Sequence, residues 1–180
     1  QSIDKEAKKS VMVWLHGGGF FAGSSIEQIA YDGENMSREG DVVVVSLNHR
    51  LNVLGYLDLS PFGEEYEASA NVGSFDMIAA LQWVRDNIAA FGGDPDNVTI
   101  FGQSGGGAKV WTLMQMPAAD GLFHKGIVQS GIYEMLGDVE NQDGTQIVEA
   151  ILKELGLGRG DVKQLETIPY DQLAAAYKKA

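Results

Sequence analysis

The chain has 180 residues, enough for a domain with a sizeable apolar core. Lysine and arginine number 13 against 25 aspartates and glutamates, and the resulting net charge of −12 argues against nucleic acid or an anionic membrane as partner, since both are held by basic patches. The absence of cysteine excludes disulfides, thiol nucleophiles and thiolate metal sites, and leaves the compartment open.

The chain opens on a polar stretch, Gln1-Ser2-Ile3-Asp4-Lys5-Glu6, with neither an initiator methionine nor the apolar centre of a signal peptide. It reads as a solvated loop entered from upstream. Val11-Met12-Val13-Trp14-Leu15 is a continuous apolar run, suited to a strand covered on both faces. It stops at the glycine loop His16-Gly17-Gly18-Gly19-Phe20. Residues 24–38 are mixed and read as partly helical. Residues 42–47, Val-Val-Val-Val-Ser-Leu, are the clearest buried strand. No apolar run reaches membrane-spanning length, because the stretch after this strand carries Asn48, His49, Arg50 and Asn52.

Residues 48–75 are irregular, with Pro61-Phe62-Gly63 and an acidic run after it marking a surface excursion. Residues 76–91 form the best helix, headed by Asp76 as N-cap. Its apolar face is Met77, Leu81, Val84, Ile88 and Phe91 at steps of four and three. Gly92-Gly93-Asp94-Pro95 ends it. Residues 98–101 then read as a short buried strand, and three glycines after Ser104 open a helix that continues through Trp111 and Leu113. Residues 126–129 read as a further short buried strand. Two amphipathic helices follow, at 145–155 and 170–179, joined by Gly156-Leu157-Gly158-Arg159-Gly160. That glycine spacing follows a helix and does not match a dinucleotide fingerprint. Trp14, Trp83 and Trp111 fall on core-like positions. Strands alternating with helices imply an α/β fold with a mainly parallel sheet.

Ser104 sits in the pattern Gly-x-Ser-x-Gly between a strand and a helix, the context that turns this motif into a nucleophile elbow; the alternative is a structural turn. A serine on so sharp a bend needs an unusual backbone conformation, and glycines two before and two after let the flanking chains pass. The helix that follows points its free N–H groups and positive end at the serine. Gly17-Gly18-Gly19, directly after a strand, matches the HGGG-type loop that accompanies such elbows. The competing reading is a phosphate loop, but no Gly-Lys-Ser/Thr follows it.

Several motifs stand in order around the elbow: His16-Gly17-Gly18-Gly19-Phe20, Ser46-Leu47-Asn48-His49-Arg50-Leu51, Asn71-Val72-Gly73-Ser74-Phe75-Asp76, Phe91-Gly92-Gly93-Asp94-Pro95 and Gln129-Ser130-Gly131. Together they resemble the type-B carboxylesterase family, the cholinesterase-like branch of the α/β-hydrolases, densely over residues 11–131 and more loosely beyond. The resemblance implies part of an α/β-hydrolase fold, with helices on both faces of the sheet. The strand at 42–47 would lie at one edge of the set, beside 11–15, which would neighbour the elbow strand. It also implies a serine hydrolase of small-molecule carboxylic esters that uses no cofactor. Carried over by position, Ser104 resembles the nucleophile, and Gly18, Gly19 and Gly105 the oxyanion N–H donors. Gln103 and Ser130 fall in supporting positions. Residues 1–137 would be the core portion and 138–180 a helical segment on the cap side.

Two departures stand out. Gln103 and Gly105 occupy positions where the family usually has Glu and Ala. The family's acid and histidine also lie far downstream of the serine, whereas the last histidine here is His124. His16 belongs to the glycine loop, His49 follows one strand and His124 precedes another, so each reads as a structural or surface histidine. Asp76 precedes the serine, against the family's order for the acid. The expectation is an internal piece of a longer enzyme, with nucleophile and oxyanion hole but neither acid nor base, and nearly inactive alone. The alternative function is a catalytically silent cholinesterase-like binding or adhesion module.

Overall fold

The structure is a computed structural model and describes residues 3–131 and 144–180. Four strands form one sheet: β1 (Lys9–Leu15), β2 (Val43–Ser46), β3 (Gly93–Gln103) and β4 (Lys125–Gln129), in the order β2-β1-β3-β4. All three pairings are parallel, so the fold is α/β with the edge and neighbour relations the resemblance implied. Val11 lies opposite Val43 on one side and Val98 on the other, while Leu15 lies opposite Gly102.

The connecting helices are α1 (Glu34–Gly40), α2 (Val53–Tyr56), α3 (Val72–Asn87), α4 (Gly105–Leu113), α5 (Thr145–Glu154) and α6 (Tyr170–Lys179), with short 3₁₀ turns between them. Side chains alternate along β1 as strand geometry requires. Val11, Val13 and Leu15 are wholly buried and share a core with Ile100, with Met77, Leu81 and Val84 of α3, and with Val110 and Leu113 of α4. The opposite face of β1 presents Trp14, whose ring lies 5.0 Å from both Tyr31 and Phe101. Tyr31 belongs to the 3₁₀ turn Ile29–Asp32, so helical segments cover both faces.

The described residues divide into two compact units, 3–50 with 74–131 and 51–73 with 144–180. The sheet and its core make up the first. The second is built on Val148, Ile151, Leu152, Val162, Leu165, Leu173 and Ala176, with Val53, Leu57, Phe62 and Tyr66 packed against them. The expected division at 137/138 lies outside the described residues. No helix among the described residues is long and apolar enough to cross a membrane.

Some sequence expectations need correction. Asp76 is not an N-cap: α3 starts at Val72, and the Asp76 carboxylate is engaged by Arg50 instead. Of the predicted apolar face, Met77, Leu81, Val84 and Ile88 are buried, but Phe91 is 46% exposed. The helix tightens into a 3₁₀ turn from Ile88 to Phe91, which swings Phe91 outward onto Trp83. Trp83 and Trp111 are likewise half exposed, not core, and the strands expected to be buried at 42–47 and 126–129 are the outer ones of the four, β2 partly buried and β4 largely exposed. The strand before Ser104, β3, begins at Gly93, earlier than expected, because Lys9 pairs with Gly93 before the register shifts to Val11 and Val98.

Candidate active site

Parallel sheets bring their loops together at the carboxyl ends of the strands, where ligands bind. Since Leu15 and Gly102 are register partners, the chain leaving β1 and the chain leaving β3 emerge side by side. The first continues as His16–Phe20, the second as Ser104 and α4.

Ser104 is the N-cap of α4, with φ 56° and ψ −123°. A non-glycine residue here carries strain of about 1–3 kcal/mol, so the surroundings must over-determine it. They do so through its own peptide groups. Its N–H donates to the Gln129 carbonyl at 2.9 Å, and its carbonyl accepts from the Ala108 N–H at 3.1 Å. The glycines around it allow backbone to touch backbone. A Cβ on Gly106 would stand 2.0 Å from the Leu15 oxygen, and one on Gly102 would stand 2.4 Å from the Gly106 carbonyl carbon. Among the described residues, the Ser104 hydroxyl has no hydrogen-bond partner in the protein.

Gly18 and Gly19 have φ of 85° and 62°, and the loop folds back so that the Gly18 carbonyl accepts from the N–H groups of Phe21 (3.3 Å) and Ala22 (3.1 Å). Among the described residues, neither the Gly18 nor the Gly19 amide donates a backbone hydrogen bond. A Cβ on Gly105 would lie 2.2 Å from the Gly19 nitrogen, so the structure brings Gly19, Gly105 and Ser104 together. Gln103 points an exposed side chain from the end of β3. Ser130 is exposed with φ 51°, and its neighbour Gly131 packs against Gly107 of α4.

Under the glycine loop lies a cluster of nitrogen bases. Lys109, on α4, is fully buried and donates from Nζ to the His16 carbonyl at 2.9 Å. The His16 and His49 rings stack at 5.1 Å. The Nδ1 of His16 faces the Gly17 carbonyl at 2.8 Å, and that of His49 faces the Arg50 carbonyl at 3.0 Å. A carbonyl only accepts, so both rings carry their proton on Nδ1 and leave a buried Nε2 without a partner among the described residues. Burial, reinforced by the nearby Lys109 cation, holds both imidazoles below the ordinary histidine range, His49 at about 4. Burial also lowers the Lys109 ammonium, to about 8. His124 accepts the Val98 N–H at Nδ1. None of the three histidines hydrogen-bonds the Ser104 hydroxyl among the described residues. Beside this cluster, Arg50 donates to the Asp76 carboxylate from its backbone N–H (2.9 Å), Nε (2.8 Å) and Nη2 (2.7 Å), which keeps Asp76 below the usual carboxylate range. Among the described residues, no group of three or more histidines and carboxylates is placed to hold a metal ion.

A profile of the carboxylesterase family matches residues 1–180, the whole of the sequence. The chain belongs to the carboxylesterase family. The carboxylesterase fold is shared closely with solved relatives. A Clostridium hathewayi esterase described as able to hydrolyse aliphatic aromatic polyesters is 63% identical, with a TM-score of 0.95 over 100% of this chain and 36% of its own. A Geobacillus stearothermophilus carboxylesterase is 43% identical, with a TM-score of 0.88 over 99% of this chain and 37% of its own. The para-nitrobenzyl esterase of Bacillus subtilis is 46% identical over 92% of this chain and 33% of its own length. The chain thus spans about a third of the length of the relatives it matches.

What sequence reasoning missed in this member of the carboxylesterase family is Lys109. The available signal was a single cation between Ala108 and Val110, in a helix start otherwise made of glycine, alanine and apolar residues.

Proposed function

We propose that the protein carrying this chain hydrolyses small-molecule carboxylic esters through an acyl intermediate on Ser104. The Ser104 oxygen attacks the ester carbonyl carbon, and its proton passes to a general base supplied from outside these residues, as is the acid that orients that base. The amides of Gly18, Gly19 and Gly105 receive the negative charge that develops on the carbonyl oxygen. Collapse breaks the bond to the alkoxy oxygen, which leaves as an alcohol with the proton returned by the base. Water, giving a proton to the same base, then attacks the acyl carbon; the bond to Ser104 Oγ breaks, the carboxylic acid leaves, and the base returns the proton to regenerate the hydroxyl.

The observation that carries this reading is the strained Ser104 backbone, held at the bend with its hydroxyl unbonded among the described residues and with the glycine loop against the start of α4. Strain of this kind persists where function requires it. The test is labelling of the protein by a fluorophosphonate probe followed by peptide mapping. The expected adduct is on Ser104 and is absent from Ser104→Ala, which also loses about 10⁴-fold or more in kcat. A protein that hydrolyses p-nitrophenyl esters with Ser104→Ala intact would refute it. The polyester activity stated for the Clostridium relative makes an aliphatic aromatic polyester the second substrate to assay.

A further inference from the structure

Lys109 is the buried charge that ester hydrolysis through Ser104 leaves without a role. It lies five residues after the serine on α4 and is wholly buried. Among the described residues it has no carboxylate partner; burial alone acts on its charge. A buried cation without a counter-ion is a costly choice where methionine would fill similar space. The fold therefore does not account for it.

Its contacts do. Nζ donates to the carbonyl of His16 at 2.9 Å and sits 6.0 Å from the centroid of the Phe20 ring. His16 and Phe20 are the residues on either side of Gly17-Gly18-Gly19. Three consecutive glycines have more backbone freedom than any other tripeptide, yet amide donors stabilise an oxyanion only when their directions are fixed beforehand. One ammonium on the helix that carries the serine thus holds both ends of the segment whose amides must be aimed at it.

We infer that Lys109 is a positioning residue that orients the Gly18 and Gly19 amides by gripping the His16 carbonyl and the face of Phe20. The inference rests on Ser104 being the nucleophile, and the experiment separates the two. In the whole protein that carries this chain, Lys109→Met is compared with wild type. The measurements are fluorophosphonate labelling rate, kcat and KM on p-nitrophenyl acetate, melting midpoint, and hydrogen exchange in peptides covering residues 16–20.

The expected result is a melting midpoint unchanged or higher. Labelling and kcat fall by about 10- to 100-fold, KM stays within about threefold, and exchange in the glycine loop accelerates. A folded variant with kcat within twofold of wild type overturns the inference. So does a variant that fails to fold, which would make Lys109 a residue of the fold. A loss of kcat without faster exchange in the loop overturns it as well, since the lysine would then act on the reaction directly. A wild-type protein that takes no label at Ser104 overturns the nucleophile reading itself.

Discussion

Gly105 and Gly19 meet backbone to backbone: a Cβ on the first would lie 2.2 Å from the nitrogen of the second. The contact joins the residue after Ser104 to the loop after β1, segments that lie on neighbouring strands and far apart in sequence. Family resemblance would put alanine at this position. In this chain the space of that methyl group is taken up by the loop.

The same tightness predicts the cost of methyl groups nearby. Gly18→Ala places a side chain at φ 85° and 2.2 Å from the Ala22 carbonyl oxygen. It should lower kcat by about 10²- to 10³-fold, as loss of an oxyanion donor does, with a small effect on KM. Gly106→Ala meets the Leu15 oxygen at 2.0 Å, deep in the sheet. It should cost about 1–3 kcal/mol of stability, read by urea unfolding.

His49 makes the fold sensitive to acid. Its ring takes a proton near 6.5 when unfolded and near 4 in the folded chain. Between those values the unfolded chain binds more protons, so stability is complete above pH 6.5 and is lost as pH falls toward 4. At 1.36 kcal/mol per pH unit the contribution is at most about 3 kcal/mol. Urea unfolding of wild type and His49→Gln at pH 7 and pH 4.5 should show the wild type losing more than the variant.

The Arg50–Asp76 pair acts at lower pH. Asp76 is held below its ordinary range chiefly by the Arg50 side-chain hydrogen bonds, so its stabilisation is present above the unfolded value near 3.8 and disappears as pH falls through the folded one. The Arg50 side chain is 56% exposed, which tempers the effect. Arg50→Met should cost about 1 kcal/mol at pH 7. Denaturant titrations should show that deficit vanishing once Asp76 is protonated in both proteins.

Gln103, the residue before Ser104, should set the charge preference of the proposed reaction. Its exposed neutral side chain occupies a position where the family usually places a carboxylate. Gln103→Glu should raise the ratio of kcat/KM for a choline ester over a neutral ester of equal size by about fivefold, on the order of 1 kcal/mol of Coulomb energy in a wet site. The comparison is made at low salt, and an unchanged ratio refutes the idea.

The strands were legible because parallel sheets write themselves as unbroken apolar runs, and 11–15 and 42–47 are such runs. The bend at Ser104 was legible because its backbone demands glycine at fixed spacing. Asp76 was misread because capping and ion pairing use the same side chain, and Arg50, 26 residues away, could not be placed beside it by local pattern. Trp83 and Phe91 fit a helical apolar stripe, but a stripe does not say where the helix tightens into a 3₁₀ turn. Lys109 was passed over because nothing local marks a lysine as buried; only the fold brings it under His16.

That hydrogen bond bridges 93 positions, and it has a bearing on how the molecule forms. The serine bend and its partner loop share no local nucleus; each waits on the docking of β1 against β3, a long loop closure that slows folding. A nascent chain therefore holds no half-built site. The Ser104 hydroxyl gains its surroundings in the same event that closes the centre of the sheet.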